Sequence, residues 1–132
     1  MTEFRPKKFG FPKAEKLTGK KKIEELFKNG SSIFLHPFLS KYHLREQDVN
    51  RLLITVPKKK FKRAVDRNLI KRRIREAYRL NKSLLTENLD KRCDVGLIYQ
   101  DSKILSFKEI EKKLITLLSR LNSEIKSHEE KN

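Results

Sequence analysis

The sequence has no tryptophan, one cysteine, one methionine, four glycines and four prolines in 132 residues. The lone Cys93 excludes an internal disulfide framework and any multi-thiolate metal site. A membrane helix needs roughly 20 consecutive apolar residues, and the apolar runs here are as short as Leu52-Leu53-Ile54. The opening Met-Thr-Glu-Phe-Arg-Pro-Lys-Lys is charged with no apolar stretch behind it, so no secretory signal is expected. Acidic side chains are the most telling shortage. Against 33 Lys+Arg stand 17 Asp+Glu, giving a formal charge of +16. Hydrophobic residues still make up 36%, enough for one compact domain and one modest core. A cytoplasmic protein with a large polyanionic partner, and no membrane, is the expectation.

The positive charge is localised. Residues 58–79 carry eleven basic side chains against Asp66 and Glu76, more than half of the whole excess in one sixth of the chain. Residues 80–132 are nearly balanced. A patch of this kind is a feature of one surface rather than a diffuse solubilising charge.

The pattern predicts a single small α+β domain, order αβββαβα, with a central, mostly antiparallel sheet packed by helices. Residues 1–15 read as an irregular basic arm, 16–126 as the domain and 127–132 as a polar, fraying tail. Thr18 is placed to cap a first helix whose apolar stripe is Ile23, Leu26 and Phe27, ending at Asn29-Gly30. An aromatic strand, 33–44, is broken at His36-Pro37, and a second strand, 51–56, stops at Pro57. The two are close enough to pair as an antiparallel hairpin. A long helix is expected over about 62–81, with Val65, Leu69, Ile70, Ile74, Ala77 and Tyr78 as its buried face. A strand over 93–99 and a helix over about 107–125 follow.

The long helix carries the functional signal. Arg63, Arg67, Lys71, Arg75 and Arg79 recur every four residues as one drifting ridge, with Arg72 beside it and Asn68 within it. Guanidinium forks on a rigid rod suit a row of phosphates, each contact releasing condensed counterions. A merely solvated basic helix usually mixes in acids at four-residue spacing.

Residues 55–78 read Thr-Val-Pro-Lys-Lys-Lys-Phe-Lys-Arg-Ala-Val-Asp-Arg-Asn-Leu-Ile-Lys-Arg-Arg-Ile-Arg-Glu-Ala-Tyr. This run resembles the signature of the protein subunit of bacterial ribonuclease P: a strand ending in Lys-Lys, a short loop, then Ala-Val-x-Arg-Asn-x-x-Lys-Arg-x-x-Arg-x-Ala. Lys58, Lys59, Ala64, Val65, Arg67, Asn68, Lys71, Arg72, Arg75 and Ala77 match it. The resemblance extends over about residues 16–121. Three positions depart from it. Leu69 stands where the family often has Arg, leaving one phosphate contact absent or passed to Arg73. Ile23 replaces the first of two aromatics on the first helix, and Pro57 stands where Ser is common.

The resemblance implies a non-catalytic subunit of a ribonucleoprotein that removes the 5′ leader from precursor tRNA. Its partners would be the catalytic RNA and precursor tRNA, with neither DNA nor a membrane involved. The RNA performs the hydrolysis, with Mg2+ expected at the RNA and no cofactor on the protein. Lys58, Lys59, Arg63, Arg67, Asn68, Lys71, Arg72 and Arg75 would bind the RNA. Phe27, Phe38 and Tyr42 would line a cleft for the single-stranded leader, and the protein would lower the magnesium requirement. From pattern alone, Phe34, Phe38 and Tyr42 share a face and read as core before stacking platform. Phe9 and Phe11 in the arm are further candidates for RNA contact. His36, His43, His128 and Cys93 are not spaced as an acid–base pair, nucleophile or metal cluster. A structural RNA-binding protein shares the composition but does not require the Lys-Lys to Arg-Asn spacing. A DNA-binding module would need a helix-turn-helix partner that the pattern lacks.

Overall fold

The computed structural model describes residues 13–45, 47 and 49–131. A short 3-10 turn, Lys13–Glu15, precedes helix α1, Lys20–Asn29. Gly19, not Thr18, occupies the cap of α1, with φ of 97°. That left-handed conformation is open to glycine without a Cβ penalty, and it lets the chain turn from an extended segment into the helix. No side chain caps α1.

Strands β1 (Ser31–Leu35) and β2 (Phe38–Arg45) form an antiparallel hairpin through His36-Pro37, whose peptide bond is cis. The break expected at the proline thus makes two strands of the aromatic segment, in keeping with the order αβββαβα. After β3 (Arg51–Thr55), helices α2 (Ala64–Asn81) and α3 (Ser83–Thr86) lead to β4 (Arg92–Tyr99) and the final helix α4 (Phe107–Lys131). The sheet order is β1-β2-β4-β3, with β3 parallel to β4. The expected antiparallel pairing of 33–44 with 51–56 does not occur, because β4 lies between them. A strand entering a helical crossover returns parallel to its origin, and β4, buried continuously over residues 93–97, is the strand hydrophobic enough for the centre.

One face of the sheet carries the main core. Phe38 and Tyr42 of β2, Leu52 of β3, and Val95, Leu97 and Tyr99 of β4 meet Ile70, Ile74, Ala77 and Tyr78 of α2 and the apolar stripe of α4. Val65, expected on this face, is 66% exposed. It lies about two and a half helical turns from Ile74 and so points the opposite way. Helix α4 begins with reciprocal bonds: Glu109 N–H donates to Ser106 Oγ (3.2 Å), and Ser106 N–H to Glu109 Oε1 (3.2 Å). It runs on to Lys131 rather than ending near 125, with His128 against Tyr42 at 6.3 Å between ring centroids.

Ser40 is wholly buried on the core face, and its hydroxyl has no partner among the described residues. An unpaired buried hydroxyl loses hydration without recompense, so Ser40→Ala is expected to stabilise the fold by about 1 kcal/mol. Thermal melts of the two proteins check this; a lower melting temperature for the alanine variant would contradict it.

Candidate nucleic-acid interface

The loop entering α2 is built to present lysines. The N–H groups of Lys60 and Phe61 both donate to the Pro57 carbonyl (3.3 Å each), closing a tight turn with Lys58 and Lys59 exposed on it. Phe61 is buried against Tyr99, ring centroids 5.9 Å apart, and Lys60 Nζ donates to the Gln100 carbonyl at 2.6 Å. Arg67 then reaches back, its Nη1 donating to the carbonyls of Phe61 (2.8 Å) and Lys62 (2.9 Å). Arg67 thus holds the loop on the helix while keeping other donors.

Not every arginine of α2 is available. Arg73 Nη1 donates to the Leu105 carbonyl at 2.6 Å, tying α2 to the approach to α4 and committing part of its guanidinium fork. Arg79 grips Glu76 with two hydrogen bonds, at 2.9 and 2.5 Å. That grip holds the Glu76 carboxyl below its ordinary range and raises the guanidinium. Arg63, Asn68, Arg72 and Arg75 are exposed and Lys71 half-buried. Among the described residues no carboxylate pairs with Lys58, Lys59, Arg63, Lys71, Arg72 or Arg75.

A second surface is the sheet face opposite the core. Strand register places Phe34, Leu39, Lys41, Leu53, Gly96 and Ile98 on it, and α1 crosses part of it. A Cβ built on Gly96 would lie 3.1 Å from Leu26 Cδ2 and 3.8 Å from Phe27 Cζ, so the bare glycine is what lets α1 approach. Arg45 pins the helix: its Nη1 is 3.4 Å from Glu25 Oε2 and its Nε 3.1 Å from Asp94 Oδ2. Asp94 is 1% exposed and also accepts from Gln47 Nε2 at 3.1 Å.

Of the expected cleft residues, Phe27 alone is on this side, half-buried. Phe38 and Tyr42 are 0% and 3% exposed and belong to the core, and burial pushes the Tyr42 hydroxyl up from its ordinary value. The aromatic on the open face is Phe34, 57% exposed. The turn at Pro37 reverses the chain, so Phe34 pairs with Leu39 and shares its face instead of Phe38's. The proline was the available signal that parity would not carry across. Phe9 and Phe11 lie outside the described residues.

Among the described residues no group of three or more His, Cys, Asp or Glu is placed to hold a metal ion. His36 pairs with Asp101 at 3.1 Å. Cys93 is buried, and desolvation, aided by the neighbouring Asp94 charge, pushes its thiol up to about 12. A thiol so placed is not a nucleophile near neutral pH.

A helix whose cations no acid neutralises among the described residues, beside a sheet face that α1 covers in part, defines an α+β protein with a concentrated basic surface, the charge pattern expected for a polyanion partner. Comparison with known proteins makes the class specific. The family model for ribonuclease P matches residues 11–122. The ribonuclease P protein component of Porphyromonas gingivalis is 32% identical over 133 residues, covering 96% of this chain and 97% of the relative. That of Clostridium botulinum is 36% identical over 110 residues, covering 82% and 95%. Among solved structures, the RNase P protein from Thermotoga maritima is 30% identical with a TM-score of 0.69, covering 80% of this chain and 96% of that one. The Staphylococcus aureus RNase P protein is 31% identical with a TM-score of 0.67, covering 82% and 95%. The chain belongs to the ribonuclease P protein family, the protein components of a tRNA-processing ribonucleoprotein enzyme.

Proposed function

We infer that this protein binds the catalytic RNA of ribonuclease P along α2 and its entry loop, and seats the single-stranded leader of precursor tRNA on the open sheet face beside α1. The observation that carries the reading is the set of six cations, from Lys58 to Arg75, left without acidic partners among the described residues. Phe27 and Phe34 supply ring surface on the open face, and Lys41 a cation beside it. Hydrolysis is assigned to the RNA and to Mg2+ held there. The protein's contribution is binding: its positive field offsets phosphate repulsion and so reduces the magnesium that the RNA requires. The setting is the cytoplasm, where precursor tRNA is made.

The test is cleavage of a precursor tRNA by a bacterial ribonuclease P RNA at low magnesium, with and without the protein. Strong stimulation giving a mature 5′ end is expected. Tight RNA binding with no gain in cleavage would replace this reading with that of a structural RNA-binding protein.

A further inference from the structure

A groove of about 230 Å³ runs between the outer edge of β3 and α2. Its floor is Leu52, Leu53 and Ile54, and its walls carry Lys16, Lys71 and Arg75. Among the described residues no carboxylate lines it. Among the described residues the edge of β3 is closed at Leu52, which bridges to Lys16. Leu17 N–H donates to the Leu52 carbonyl at 2.9 Å, after which the chain leaves through Thr18 and Gly19 for α1. A residue in a strand turns its N–H and C=O to the same side, and alternate residues face the same way. Since Leu52 faces away from β4, so does Ile54, and its amide and carbonyl open onto the groove.

We propose that this groove binds one unpaired nucleotide of the RNA held along α2, with the base edge paired to the Ile54 backbone and a phosphate held by Lys71, Arg75 and Lys16. Every base offers a donor beside an acceptor on its pairing edge, which matches one N–H and one C=O. The aliphatic floor suits the base, and the three cations suit the phosphate. An added peptide strand fits poorly, because strand addition needs a run of free edge residues. Here the opening lies between the closure at Leu52 and the turn at Pro57. The inference rests on the reading of α2 as the RNA-binding helix and adds the kind of contact made beside it.

The chain has no tryptophan, so Thr18→Trp at an exposed groove position gives a single fluorescent reporter. Nucleoside 5′-monophosphates are expected to quench it, while inorganic phosphate at equal concentration does not quench it and competes only weakly, since it reaches the cations but makes no base contact. Adding Lys16→Gln should weaken the apparent affinity about fivefold, the order of one phosphate contact. Ile54→Pro removes an outward N–H and spares the β3–β4 ladder. With the fold verified by circular dichroism, it should abolish the quenching. No response to any monophosphate, or competition by phosphate as effective as by nucleotide, overturns the proposal without needing the proline variant. Titration with ribonuclease P RNA separates the two readings. RNA that binds without quenching the reporter refutes the groove alone; monophosphate quenching without RNA binding refutes the assembly reading alone.

Discussion

Replacing Arg72 and Arg75 together by alanine is expected to weaken binding of ribonuclease P RNA by about 2–4 kcal/mol and to lower the log–log salt slope by about two units. Both side chains are exposed, and among the described residues no acid neutralises either. Their removal therefore takes two phosphate contacts away without leaving a buried partner unpaired. Arg79→Ala is the internal control. Its guanidinium is already committed to Glu76 through two hydrogen bonds, so its loss should leave the slope nearly unchanged. Binding measured from low to moderate salt decides the matter. A double variant with the parent's slope would remove α2 from the interface. Equal losses for Arg79→Ala and the double variant would mean that only net charge counts.

Gly96→Val is expected to act on the opposite face. A Cβ there would stand 3.1 Å from Leu26 Cδ2 and 3.9 Å from the Lys41 Cβ, and valine adds two methyls beyond it. The helix must lift or the strand must shift, a cost of about 1–3 kcal/mol for an overpacked site. Because α1 roofs the open face, the same change should reduce the benefit of a long leader in precursor cleavage. RNA affinity, which the proposed reading assigns to α2 across the sheet, should remain near the parent's. A thermal melt and cleavage of short- and long-leader precursors test both parts. Unaltered leader dependence in a destabilised variant would separate the α1 seat from leader recognition.

The signs that were legible in the sequence were local ones. The drift of Arg63, Lys71, Arg72 and Arg75 around α2 follows from helical periodicity, and the apolar stripe of α4 from Ile110 to Ile125 is a run of three- and four-residue steps. What escaped is non-local. No feature of residues 31–56 says that β4, almost forty residues further on, will insert between β2 and β3. Face parity is carried along a strand but not through a turn, so Phe38 and Tyr42 lie in the core as the pattern alone reads them, while Phe34 went to the open side. The internal commitments of Arg67 and Arg73 depend on carbonyls of Phe61, Lys62 and Leu105, acceptors that every residue has and that composition cannot rank.

The lopsided placement of the core divides the molecule into parts of unequal persistence. Helices α2 and α4 share one continuous apolar cluster with the sheet, and Leu26 of α1 is not part of it. On the other face α1 rests on Leu26, half-buried Ile23 and Phe27, and the pair between Glu25 and Arg45. Opening α1 alone would uncover Leu26 and leave the main cluster whole, a local opening of the kind native proteins undergo without unfolding. If the leader sits on the open face as proposed, a long strand of RNA need not thread beneath this roof: the helix can swing aside and close again over its guest.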